Sequence, residues 1–312
     1  MKTLILTHKA DIDGLSPLIF LKIIREDVDA ILLNANDINP KIQEIITNKS
    51  YQKYDEIFVT DLTLDKKSCE LIMSTGYDEK FHTFDHHALN LVSNEYPFGV
   101  AISTNSDGVN ECATSLFYKY LKNRYPETFD KPAFETYTEL VRQSDTWDWV
   151  KNKNEDANKL ANLQSILGRE DYINTYVEFL KNNNEFTFTK EQSYLLDVED
   201  KRIKRYMEET EKTMFHATLQ GRPCGIVFAE SHRSLLGNYL AEKYSYMIDY
   251  VVIINMQQGI SFRCIKEDVN VGKIASVYGG GGHVKASGAP LDNAIKREVI
   301  KLLLDDDSIF RN

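Results

Sequence analysis

The feature that most restricts the fold is an alternation in which short apolar runs empty into acid-bearing loops and then into helix-leaning segments. Lys2 to Thr7 is the first run, and it ends in His8-Lys9-Ala10-Asp11-Ile12-Asp13-Gly14-Leu15-Ser16. Pro17 fits the first turn of a helix whose apolar positions are Leu18, Ile19, Ile23 and Ile24. Val28 to Asn34 reads as a strand and Ile38 to Thr47 as a helix. Glu56 to Thr60 is strongly β, stops on Asp61-Leu62-Thr63 and precedes a helix over Lys66 to Met73. Lys80 to Phe84 then delivers Asp85-His86-His87. Strands alternating with helices predict an α/β fold with a mainly parallel sheet flanked by helices. In an open sheet of that kind, ligands bind outside the carboxyl ends of the strands. Three strands place carboxylates or imidazoles there.

Each motif alone has a plainer reading. Asp-x-Asp is common in turns and at helix N-caps, where the side chain accepts free backbone N–H groups. Asp85-His86-His87 would serve equally as a hydrogen-bonded surface turn. Turn chemistry, however, would scatter such residues, whereas here they recur at the same end of three strands. Imidazole together with carboxylate suits manganese, iron or zinc better than calcium.

Further along, Phe98 to Ser103 leans to β, and Glu111-Cys112-Ala113-Thr114-Ser115-Leu116 leads into a helix expected to pack closely against these loops. Phe134 to Arg142 is helical and runs into Gln143-Ser144-Asp145-Thr146-Trp147-Asp148-Trp149. That acidic turn is flanked by both tryptophans, and its plain reading is an aromatic core with an N-capping Asp. From Trp149 to about Phe188 the chain is polar and helix-leaning, with no motif.

At 312 residues the chain exceeds the size of a single growing core, which predicts two domains. Its formal charge of −10 opposes binding to long nucleic acid, whose affinity comes from neutralising many phosphates. A nucleic-acid ligand should be short and held locally. Cys69, Cys112, Cys224 and Cys264 are far apart and read as small buried hydrophobes, not as a disulfide framework. No stretch has the length of a membrane span, and the start is too soon polar for a signal peptide. The cytoplasm is the expected location.

Lys190 to Phe215 is an amphipathic connecting helix with Tyr194, Leu195, Val198, Ile203, Tyr206, Met207 and Met214 among solvated charges. Beyond it β-leaning runs resume at Ala217 to Leu219, Cys224 to Ala229, Tyr250 to Met256 and Gly259 to Ile265, with a helix opening at Glu230 to Ser234. Arg263 lies on the last of these strands and, if buried, needs a substrate phosphate or an internal carboxylate. After a short helix over Val271 to Val277 comes Tyr278-Gly279-Gly280-Gly281-Gly282-His283, then Ala286-Ser287-Gly288. Four glycines cost backbone entropy that a closely approaching ligand would offset, and their N–H groups suit a phosphate.

Asp11-Ile12-Asp13-Gly14, Asp61, Asp85-His86-His87 and Asp145, in that order, resemble the four motifs of the DHH phosphoesterases. Gly279 to His283 resembles the signature of the DHHA1 domain that follows in one branch of that family. The likeness covers nearly the whole chain and is strongest to the bacterial nanoRNases of the B type, with Thr138 to Gln143 especially similar. His8 stands three residues before Asp11, a spacing that varies in the family.

The resemblance implies a DHH catalytic domain over residues 1–188, a connecting helix over 189–215 and a smaller α/β DHHA1 substrate-binding domain over 216–312. It implies two divalent metal ions, manganese by preference: Asp11 and His8 on one, Asp13, His86 and Asp145 on the other, Asp61 between them. Two cations roughly 3.5–4 Å apart stabilise both attacking and leaving oxygens of a phosphoryl displacement. They also offset the repulsion among these carboxylates. Asp61, Asp85 and His87 are the implied catalytic residues, with His87 at a phosphate oxygen and Asp85 orienting an imidazole. Arg263, Gly280, Gly281, Gly282, His283 and Ser287 are the implied substrate-binding residues.

The expected function is hydrolysis of very short single-stranded RNA oligonucleotides or dinucleotides to nucleoside 5′-monophosphates. Linear or cyclic diadenylate and 3′-phosphoadenosine 5′-phosphate are the alternative substrates, and polyphosphate is a more distant one. A nucleotide sensor with a degenerate site is disfavoured because no motif aspartate is missing. Neither a membrane nor long nucleic acid is expected as a partner. A strand edge of the second domain would allow a homodimer, although no stretch demands it.

Overall fold

The computed structural model describes residues 1–305, apart from the side chains of residues 88–91. These residues divide into two compact units, with the boundary between Asp197 and Val198.

The first unit follows the predicted alternation: β1 (Thr3–His8), α1 (Ile12–Ile24), β2 (Val28–Leu33), α2 (Ile38–Thr47), β3 (Glu56–Thr60), α3 (Lys66–Ser74), β4 (Phe81–Asp85) and β5 (Gly99–Ala101). Helices dominate from there: α4 (Ala113–Arg124), α5 (Pro126–Phe129), α6 (Pro132–Asp145), α7 (Asp148–Asn152), α8 (Glu155–Leu167) and α9 (Arg169–Asn182), with the unit boundary falling inside α10 (Lys190–Glu211). The sheet order is β2-β1-β3-β4-β5 and every pairing is parallel.

Burial on both faces explains the strands' near-continuous apolar character. Ile5, Phe58 and Phe84 face a core built with α1, α4, α6, α8 and α9. Their neighbours Leu4, Leu6, Ile57, Val59 and Phe81 face α2 and α3 on the other side. The stretch after Trp149, which carries no motif, supplies Leu160, Leu163, Tyr172 and Tyr176 to the first of these cores.

Helix α1 begins earlier than Pro17 suggests. Asp11 caps it by accepting the Gly14 N–H at 3.0 Å, which leaves Pro17 in the second turn. Proline has no N–H to give the carbonyl of Asp13, four residues back. The Thr114 hydroxyl donates to that carbonyl instead, at 2.8 Å.

The second unit contains β6 (Phe215–Leu219), β7 (Arg222–Phe228), α11 (Arg233–Lys243), β8 (Tyr250–Asn255), β9 (Gly259–Arg263), α12 (Val271–Val277), β10 (Gly281–Gly282), β11 (Ala286–Ala289) and α13 (Asn293–Leu304). Its sheet order is β10-β11-β9-β8-β7-β6, with β7 and β8 parallel and the other pairs antiparallel. Val251 and Ile253 pack with α11, while Tyr250, Val252 and Phe262 pack with α12. Among the described residues no helix is long and apolar enough to cross a membrane.

Candidate metal centre

The strand order brings the acidic loops together. β1 and β3 are neighbours, and the chain order reverses at β1, with β2 to one side and β3, β4 and β5 to the other. Such a switch point opens a crevice at the carboxyl ends of the strands. His8 ends β1, Asp61 follows β3, and Asp85 closes β4 ahead of His86 and His87. Asp11 and Asp13 come from the start of α1, and Asp145 is the last residue of α6, not part of a turn.

His8 Nδ1 lies 3.0 Å from Asp11 Oδ2 and 3.3 Å from Asp61 Oδ2. His86 Nε2 lies 3.4 Å from Asp61 Oδ1, 3.4 Å from Asp145 Oδ2 and 3.7 Å from Asp13 Oδ2. Asp61 therefore turns one oxygen to each group. The ligand atoms fall into the sets His8–Asp11–Asp61, Asp13–His86–Asp145 and Asp61–Asp85–His86–His87, each within 4.8 Å.

Asp61 holds a left-handed backbone at φ 55°, with its N–H on the Phe84 carbonyl at 2.9 Å. Few residues other than glycine occupy that region, and Asp is among the better tolerated.

The electrostatics of the bare cluster are unfavourable. Burial, then the charge of Asp13, pushes the Asp145 carboxyl up to about 8. Burial, then Asp61, pushes Asp13 up to about 6. Hydrogen bonds donated to Asp11 and then to Asp61 drive the His8 imidazole up to about 10. Burial acts to lower His86, but the close approach of Asp61 and the charges of Asp13 and Asp145 outweigh it and raise the ring to about 10. For Asp11, burial is outweighed by the His8 and Gly14 bonds, which hold it below its ordinary value.

Two buried atoms here, His86 Nε2 and Asp145 Oδ2, have no hydrogen-bond partner. Imidazole nitrogens and carboxylate oxygens facing one another with unmet lone pairs form the donor set of a first-row divalent cation. The cluster fits divalent metal binding.

Its supports come from elements without a motif. The N–H groups of Ala113 and Thr114, at the start of α4, donate to Asp13 at 2.9 and 2.8 Å. Asp85 is 1% exposed and accepts the backbone N–H groups of His86 and His87 and the Thr63 hydroxyl. Its Oδ1 also lies 2.7 Å from His87 Nδ1. That contact fixes the half-exposed His87 ring and leaves Nε2 as its uncommitted nitrogen. Arg142, buried in α6, donates to Glu139, Asp148 and the Asn110 carbonyl, and so pins the helix end that carries Asp145.

In the second unit, Arg263 donates to the Phe262 carbonyl at 2.9 Å and to the Ser234 hydroxyl at 3.0 Å. It has no carboxylate partner among the described residues. Burial, then the nearby Arg233, lowers its pKa. Arg233 and Ser234, which carry no sequence signal of their own, line a pocket of about 400 Å³ with Arg263.

The glycine loop is explained largely from within. Gly279 and Gly282 have φ of 73° and 137°, and a side chain on Gly280 would come within 2.0 Å of the Gly288 carbonyl oxygen. Gly279 and Gly281 both face open space, and of the two only Gly281 lacks the left-handed backbone that by itself calls for glycine. His283 is exposed. Ser287 is buried and its hydroxyl donates to the Val271 carbonyl at 2.7 Å, so it fastens α12 to β11.

No family model matches the chain. Over 291 residues it is 33% identical to oligoribonuclease NrnB of Bacillus subtilis strain 168, a match covering 91% of this chain and 72% of that protein. Its fold is similar to that of a pGpG-specific phosphodiesterase from Vibrio cholerae, with a TM-score of 0.53 and 15% identity over 98% of each chain. It is also similar to exonuclease RecJ bound to manganese, with a TM-score of 0.50 and 12% identity over 99% of this chain and 91% of that one. The two structural likenesses speak for the fold, and the identity to the ribonuclease speaks for descent: the chain belongs to the DHH/DHHA1 phosphoesterase family and is a hydrolase of phosphoester bonds.

Proposed function

We infer that the protein is a metal-dependent phosphodiesterase that degrades short RNA oligonucleotides to nucleoside 5′-monophosphates. The observation that carries this reading is the double-faced position of Asp61 between two ligand sets, in a chain 33% identical to an oligoribonuclease. In this reading His8 and Asp11 hold one divalent cation, Asp13, His86 and Asp145 hold the other, and Asp61 serves both. Bound there, two manganese ions would stabilise negative charge on the attacking and leaving oxygens of a phosphoryl displacement.

The protein's own groups do the positioning. Asp85 holds His87 through Nδ1, so that Nε2 is free for a phosphate oxygen of the substrate. Arg263, which lacks a carboxylate partner among the described residues, and the exposed His283 take the terminal phosphate, with Gly279 and Gly281 as open points of the glycine loop. Guanidinium suits that task because its fixed fork of donors matches phosphate oxygens. Residues 1–188 would form the catalytic domain and 216–312 the substrate-binding domain.

The test is manganese-dependent hydrolysis of a 5′-labelled RNA series from two to about ten nucleotides, beside linear and cyclic diadenylate and 3′-phosphoadenosine 5′-phosphate. Rapid turnover of the shortest RNAs to monophosphates is expected. Turnover confined to the adenylates would make the protein a signal-nucleotide phosphodiesterase instead, and hydrolysis of none of them would overturn the assignment.

A further inference from the structure

A recess of about 290 Å³ in the first unit shares one wall with the metal cluster and extends along α8. Asp11, Asp13 and Asp145 form one side, and Trp147, Asn162, Gln164 and Ser165 form the rest that matters here. Trp147 is 49% exposed. Its backbone lies at φ 61°, a conformation rare for a bulky residue and costing on the order of 1–3 kcal/mol. An indole held at that cost, half in solvent and two residues beyond Asp145, contributes little to a core.

Asn162, Gln164 and Ser165 project from α8, and none makes a side-chain hydrogen bond among the described residues. Uncommitted amides are common on helix surfaces. These converge with an exposed indole on one recess beside the reacting centre.

The lining decides the ligand's chemistry. It contains three metal-cluster carboxylates and no Lys or Arg, so apart from cations held by those carboxylates it offers a phosphate no positive partner. An aromatic face with amide and hydroxyl groups, which both donate and accept, suits a neutral planar ring with a polar edge. Unstacked bases are recognised in this way, by stacking on aromatic side chains and hydrogen bonding along their edges. The volume is at the small end for ligand pockets, enough for one ring system.

We propose that this recess is the nucleobase subsite of the nucleotide being cleaved, with Trp147 as the stacking face and Asn162, Gln164 and Ser165 reading the base edge. The proposal rests on the phosphodiesterase reading above and adds what would set its base preference.

The test compares kcat/KM for an RNA dinucleotide and for the same dinucleotide made abasic at either position. In Trp147→Ala the preference for the base-bearing substrate should fall about fivefold or more, through KM and not kcat. Trp147→Phe, which keeps an aromatic face, should recover it. Asn162→Ala with Gln164→Ala should change the ranking of the four homodinucleotides. Titration with nucleoside 5′-monophosphates should quench tryptophan fluorescence, and the quench should vanish in Trp147→Ala while Trp149 remains. An unchanged preference in Trp147→Ala, or an undiminished quench, overturns the subsite. If the wild type cleaves no RNA dinucleotide, the function falls, and the fluorescence titration decides the subsite by itself: a Trp147-dependent quench supports it and no quench overturns it.

Discussion

Asp61 is under the tightest constraint of any residue in the cluster, because its charge, its two oxygens and its left-handed backbone are all needed at once. Asn tolerates that backbone as Asp does, so Asp61→Asn removes the charge with little change in shape. Turnover should fall to roughly one-thousandth or less, with the fold unchanged by circular dichroism. Residual activity near wild type would show that no cation depends on Asp61. A second expectation concerns protons. In the bare protein Asp13 and Asp145 are raised to about 6 and about 8, and His8 and His86 to about 10. Cations require these groups deprotonated, so binding must release protons, and affinity should rise as pH rises from below 6 toward 10. Calorimetry in buffers of different ionisation enthalpy measures that release; affinity independent of pH would contradict it.

Elements hold the cluster together through close approaches. A side chain on Gly14 would sit 2.1 Å from the His8 carbonyl oxygen, between the end of β1 and the first turn of α1. Gly14→Ala should destabilise the protein by roughly 1–3 kcal/mol in urea unfolding and weaken cation binding as well. Stability loss without weaker binding would mean that the two elements do not position His8 and Asp11 together. At this scale the sequence was legible where one signal dominated. The parallel strands are buried on both faces, so their apolar runs stand out, and their polar ends mark the site. The stretch holding α8 and α9 was legible as helical but not as core, and in α9 that core is partly phenolic: Tyr172 and Tyr176 are fully or nearly fully buried, yet they lie among charged residues. The strands β10 and β11 were invisible, since Gly281, Gly282 and Gly288 have no strand propensity to read. The close packing of α4 on these loops was legible from its small residues, but its particular partner was not, because the Asp13 contacts with Ala113 and Thr114 join residues about a hundred positions apart.

For the whole molecule, net charge sets the choice of ligand. With a formal charge of −10, the protein lacks the excess of Lys and Arg that gives long polyanions their affinity. Excess long RNA should therefore leave dinucleotide hydrolysis almost unchanged at moderate salt, and strong competitive inhibition would contradict that. The distribution of the ligand set along the chain has a consequence for biosynthesis. His8, Asp11 and Asp13 are made first, but Asp13 gains its cap only when α4 docks, and the set is incomplete until Asp145 has been added. At typical rates of synthesis the stretch from His8 to Asp145 takes roughly 7 to 30 s to make. Until then the nascent chain offers only scattered carboxylates and imidazoles. The full set would thus be filled late, from the cations present when folding finishes, which makes cellular supply at that moment a determinant of which metal the protein carries.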